Sequence, residues 1–128
     1  MSKAILLLLL LGLNFSCTEQ VNDSLDLSDA TILVSTDIKN PIRETAENVL
    51  VEEIEKRTTI KLSKANDWSS NTTIALVLQG DTDVIGKKVP DMKGVDESPI
   101  KKEGYRIVHE KEGKKDIMWI IGADARGV

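Results

Sequence analysis

The sequence predicts an α+β (or α/β) fold: a single mixed β-sheet with one long amphipathic helix packed on a face, and a final helix cut short. Three observations carry this. Thr31–Val34, Thr72–Leu78 and Ile117–Ile121 are compact apolar runs rich in β-branched residues, as strands buried on both faces require. Pro41 to Arg57 repeats apolar residues at helical spacing. Two apolar runs flank the Gly-containing polar segment Lys111-Glu112-Gly113-Lys114-Lys115, the pattern of a β-hairpin.

Residues 1–16 read as an export signal. Lys3 is a short positive n-region, and Ala4 to Leu13 is a Leu-rich run far too short for a bilayer of ~30 Å hydrocarbon. Leu13-Asn14-Phe15-Ser16-Cys17 resembles the processing site of bacterial lipoproteins, with Asn14 where Leu is commoner. That resemblance implies a lipidated Cys17 and an exported chain held at the cell envelope as an outer-membrane lipoprotein. The competing reading is a secreted protein with one free thiol. Cys17 is the sole cysteine, so no internal disulfide can form and the fold must rest on its core. Residues 17–29 are polar and acidic and read as a tether; residues 30–128 are the folded domain.

Thr31-Ile32-Leu33-Val34 is the first strand. Asn40-Pro41 reads as a helix start, with Asn as N-cap and Pro at the first helical position. Ile42, Ala46, Val49, Leu50 and Ile54 then form one stripe for packing on a sheet, with Glu44, Glu47, Glu52, Glu55 and Lys56 on the solvated side. Ile60–Ser63 alternates as an edge strand would, completing a β-α-β unit. Trp68 follows in a loop. It is a candidate glycan contact through its apolar ring face, against the alternative of a ring folded over the core edge. After Thr72–Leu78, residues 82–102 read as a long irregular connection with room for one short helix.

The terminal stretch is the most specific. Ile117–Ile121 breaks at Gly122, and Asp124 is suited to cap a helix's first turn, yet the sequence ends at Val128. Glu103-Gly104-Tyr105 together with Gly122-Ala123-Asp124-Ala125-Arg126-Gly127-Val128 resembles the small α/β domain in front of the catalytic barrel of several glycoside hydrolases, such as α-glucuronidases and the bacterial type of β-hexosaminidase. The resemblance spans residues 30–128. In those families the motif runs on into a helix opening with an aromatic-Gly pair, which this sequence lacks. The resemblance implies a non-catalytic accessory domain whose acid and base lie in a barrel absent from this chain, and Asp124, Arg126, Gly122 and Gly127 as turn or domain-interface residues. Arg126 could bridge Asp124 or a carboxylate across such an interface; a plain surface charge is the alternative.

The chemistry-bearing residues point the same way. The formal charge is -4, or -5 after loss of residues 1–16 (16 positive against 21 negative), so nucleic acid phosphates find no general attraction here. One histidine, His109, and one cysteine offer no metal set and no cofactor pattern, and no Gly-x-Ser-x-Gly or phosphate-cradling loop occurs. His109 reads as a half-buried strand residue. The expected partners are a membrane through Cys17, a missing C-terminal catalytic domain, and carbohydrate. The other class of function is a free-standing lipid-anchored module that binds a glycan or a protein.

Overall fold

A computed structural model describes residues 24–91 and 98–128. Residues 1–16, which the sequence leads one to expect as an export signal, and Cys17 lie outside the described residues. The elements run β1 (Thr31–Val34), α1 (Ile42–Thr58), β2 (Ser63–Ala65), β3 (Thr73–Leu78), β4 (Asp83–Val84), β5 (Lys87–Lys88), β6 (Tyr105–Glu112) and β7 (Lys115–Gly122). Five strands form a mixed sheet in the order β2-β1-β3-β7-β6, and β4-β5 is a separate small hairpin. β1 is parallel to β2 and β3, β3 is parallel to β7, and β6 is antiparallel to β7. The chain is α+β.

The apolar runs set this order. β1 and β3 are buried almost throughout because both faces of the sheet are covered. On one face, Ile32, Val34, Ile74 and Leu76 pack beneath Ala46, Leu50, Val51 and Ile54 of α1. On the other, Leu33, Ala75, Val77, Ile117, Trp119 and Ile121 lie under Trp68, Val84, Val89 and Ile100. That second layer is a loop and a hairpin, not a helix. β7 alternates accordingly: Ile117, Trp119 and Ile121 are buried, whereas Met118 and Ile120 on the helix side are only half-buried.

Several expectations are corrected. Pro41, not Asn40, occupies the N-cap of α1 and no side chain caps it; the Asn40 amide donates instead to Glu44 Oε1 at 2.8 Å. The helical stripe splits, because its five residues spread over an arc of roughly 140° at 100° per residue. Ala46, Leu50 and Ile54 reach the core, Val51 joins them, and Ile42 and Val49 stay exposed. The edge strand falls at Ser63–Ala65 rather than Ile60–Ser63, since Leu62 turns inward as a core plug. In the 82–102 connection the described residues form the β4-β5 hairpin and no helix, with Gly86 at positive φ in its turn. Within the segment expected as a tether, Leu27 packs on the helix-side core and its carbonyl accepts the Ala30 amide. His109 is exposed, because β6 is an edge strand and its helix-side face is uncovered.

Candidate functional site

Register brings the two halves of the terminal motif together. Tyr105 pairs with Gly122, so Glu103-Gly104 enters β6 beside the point where Ala123-Asp124 leaves β7. The Ala123 amide donates to the Gly104 carbonyl at 2.9 Å. Asp124 ties both segments: Oδ1 accepts the Arg126 amide at 2.9 Å, and Oδ2 accepts the Glu103 amide at 3.1 Å. The Gly127 amide returns to the Asp124 carbonyl at 2.9 Å, closing one turn. Asp124 thus accepts a backbone amide two residues on, as an N-cap does. These amides, Arg126 first and Glu103 second, hold the Asp124 carboxyl below the ordinary aspartate range, because they stabilise only its charged form.

Arg126 Nη1 meets Glu103 Oε1 at 2.9 Å, with both side chains more than half exposed. Such a pair contributes about 0–1 kcal/mol. Backbone contact matters more. A Cβ on Gly122 would come within 2.7 Å of Val128 Cγ1, and one on Gly104 within 2.8 Å of the Lys101 carbonyl oxygen. Residues 103–104 and 122–128 form a latch that only small residues allow.

The latch closes one end of an apolar groove of about 490 Å³. One wall is the flank of α1, with Ile42, Val49 and Leu50; the floor is Leu76 and Ile120; Val128 closes the latch end. The reason for the groove is width. Five strands at ~4.8 Å spacing spread ~19 Å between the outer strands, while one helix with side chains is ~10 Å across. α1 sits toward β2, where Glu47 bridges Arg43 and Lys64, each at 3.3 Å. The helix-side face of β6 is left open, with Tyr105 62% and Ile107 53% exposed, and Val49 of α1 is exposed as well. Among the lining residues the one carboxylate is Glu53, bonded to Arg57 at 3.0 Å. The lining of the groove is mostly apolar, with Glu53 and Arg126 as its charged residues.

The other candidates are placed elsewhere. Trp68 is half-buried on the opposite face, its ring 5.4 Å from that of Trp119, its Nε1 donating to the Val84 carbonyl at 2.9 Å and Lys87 5.0 Å above it. His109 lies on β6 with Nε2 2.8 Å from Asp116 Oδ1. Among the described residues no group of three His, Cys, Asp or Glu could hold a metal ion, and no helix is long and apolar enough to cross a membrane.

The sequence named Gly122, Asp124, Arg126 and Gly127 for the turn; the structure brings Asp124, Arg126 and Gly127 to Glu103-Gly104 and pairs Gly122 with Tyr105. It brings neither Trp68 nor His109 to them. The groove residues Ile42, Val49 and Ile120 were not singled out as a site. The signal was present in the arc of the helical stripe, which is wider than one sheet contact can cover. No protein-family model matches the chain, and no curated protein matches it.

Proposed function

We propose that residues 30–128 are the non-catalytic N-terminal accessory domain of a cell-envelope glycan-degrading hydrolase, exported by residues 1–16 and anchored through a lipid on Cys17. The observation that carries this reading is the latch at the mouth of the open face. The residues that resemble the hydrolase domain, Glu103-Gly104-Tyr105 and Gly122 to Val128, meet at one point. They lie at the end of a groove lined by Ile42, Val49, Ile120 and Val128. In this reading a helix following the Asp124-capped turn lies along the groove, and the catalytic barrel follows it. The domain braces that barrel and carries neither its acid nor its base.

A second reading is favoured by the size and apolarity of the groove alone: a free-standing anchored module that takes a protein or glycan partner there. Reading the gene past the Val128 codon separates the two. An in-frame helix and barrel are expected; an immediate stop codon would end the hydrolase reading and leave the module. The chain to Val128, incubated with aryl glycosides, is expected to give no turnover, and measurable hydrolysis would contradict a purely accessory role.

A further inference from the structure

β6 is the outermost strand of its sheet, and among the described residues no strand pairs with its far side. The register fixes which of its groups face outward. Gly104 stands one step beyond the Tyr105–Gly122 pair, opposite Ala123, and its carbonyl accepts the Ala123 amide, so the two form a hydrogen-bonded pair. The even-numbered residues of β6 therefore turn their amides and carbonyls toward β7. Tyr105, Ile107, His109 and Lys111 turn theirs outward. Side chains alternate too. Val108 packs on the loop-and-hairpin side of the sheet and Glu110 accepts from Trp119 there, which puts Arg106 on that side as well. Tyr105 and Ile107 are exposed on the helix side.

We infer that this edge is a homodimer interface: a second copy of the chain lays its own β6 antiparallel along it, about a two-fold axis at Val108, and the two sheets become one. Charge selects both partner and register. Charges along a sheet edge ordinarily repel an incoming strand. Here the two-fold sets Arg106 opposite Glu110 of the second copy, and Glu110 opposite its Arg106, with Val108 on Val108 between them. Glu110 gives one carboxylate oxygen to Trp119 Nε1 and presents a second. On the helix side Tyr105 faces Lys111 of the second copy, a pairing of ring and cation, and Ile107 faces its His109. An axis at Ile107 would set Arg106 against Val108. An axis at His109 would set Val108 against Glu110, and Arg106 against Glu112, a carboxylate that already holds Lys87 and Lys115. Centred on Val108, the ladder gains about eight backbone hydrogen bonds. No residue lining the groove belongs to β6, so the groove stays open in the pair.

Sedimentation of the chain to Val128 and its variants tests the pair. Arg106→Glu and Glu110→Arg, each alone, set like charges opposite each other at two places and are expected to weaken dimerisation about tenfold or more. Mixed one to one, they set unlike charges at both places and are expected to pair again. Ile107 faces His109 of the second copy, so Ile107→Lys disfavours the pair as well. Dimerisation unchanged by Arg106→Glu overturns the edge pairing and assigns any association to the helix-side face, from which Arg106 points away. A mixture of the two folded variants that stays monomeric overturns it too, as does a parent chain that is monomeric at high concentration. Should Glu110→Arg unfold through loss of the Trp119 bond, Val108→Cys in a Cys17→Ser background decides the matter. Its two Cβ atoms then stand ~5 Å apart across a non-hydrogen-bonded pair, near disulfide reach, and mild oxidation is expected to give a covalent dimer. A register two residues away would hold them ~7–8 Å apart, and failure to cross-link overturns the proposal.

Discussion

Gly104 and Gly127 touch backbone to backbone: the Gly104 carbonyl oxygen stands closer to where a Gly127 Cβ would sit than any real Cβ tolerates. Gly127→Ala must therefore push the 122–128 turn off β6. Overpacking of this kind costs about 1–3 kcal/mol. Urea unfolding is expected to show that loss, with faster hydrogen exchange at the Ala123 amide that the Gly104 carbonyl holds. Gly80→Ala is the control, since a Cβ there meets nothing within 4 Å. Equal stability of the two variants would disprove the latch.

Asp124 makes the latch acid-sensitive. Its carboxyl is held low in the folded state by the Arg126 and Glu103 amides. A depressed folded value means the stabilisation is present above the unfolded aspartate pKa of about 3.9 and is lost as pH falls through the lower folded value. Stability of the parent chain and of Asp124→Asn, measured between pH 2 and 6, is expected to converge below about pH 4 and to differ above it. Parallel curves across that range would rule out the ionised carboxylate as the tie.

The end of α1 holds a removable strain. Thr59 stands at φ 63° in the left-handed region, with its amide on the Glu55 carbonyl at 2.8 Å. A β-branched residue is disfavoured there and glycine is not. Thr59→Gly is expected to raise unfolding stability by about 0.5–1 kcal/mol, despite the extra entropy glycine brings to the unfolded chain. A fall in stability would mean that the Thr59 hydroxyl bond to the Thr58 carbonyl outweighs the strain.

Much of the fold was legible because burial writes itself into composition. Thr31–Val34 and Thr73–Leu78 are strands for which continuous apolar runs leave no alternative, and Gly113-Lys114 between Glu112 and Lys115 is a hairpin turn whichever neighbours it has. What failed to show was anything decided by distant partners. β4 and β5 are two residues each, below any periodic signal. Leu62 looks like a strand residue until Ile32 and Ile74 are seen to need it as a plug. Gly122, Asp124 and Gly127 could be named one by one, but their meeting with Glu103-Gly104 depends on the Tyr105–Gly122 register, which a single sequence does not spell out.

The open face should make the isolated domain sticky. Ile42 and Val49 of α1 and Tyr105 and Ile107 of β6 are large apolar side chains left exposed, and exposed apolar surface of this kind drives association. Sedimentation of the chain to Val128 is expected to show concentration-dependent self-association. Ile107→Lys with Val49→Lys should abolish it while shifting stability by no more than about 0.5 kcal/mol per site. A parent chain that stays monomeric at high concentration would argue that this face has no partner to lose.

Trp119 is fully buried and its Nε1 donates to Glu110 Oε2 at 2.9 Å. Trp119→Phe removes that bond and leaves unfilled space. The expected loss is about 1–3 kcal/mol in urea unfolding. Trp68→Phe, at a half-buried site, should cost less.

β7 is the last of the five sheet strands among the described residues, yet it lies inside the sheet and is the one strand that joins β6 to β3. A chain emerging amino end first, from a ribosome or a translocation pore, therefore cannot complete its architecture early. Until residues 115–122 are free, β3 has a bare edge and β6 has nothing to pair with. The long-range pairing of β3 with β7 makes closure a late event in any case. Placing the keystone after the other strands of this sheet keeps residues 30–114 threadable until β7 itself has passed.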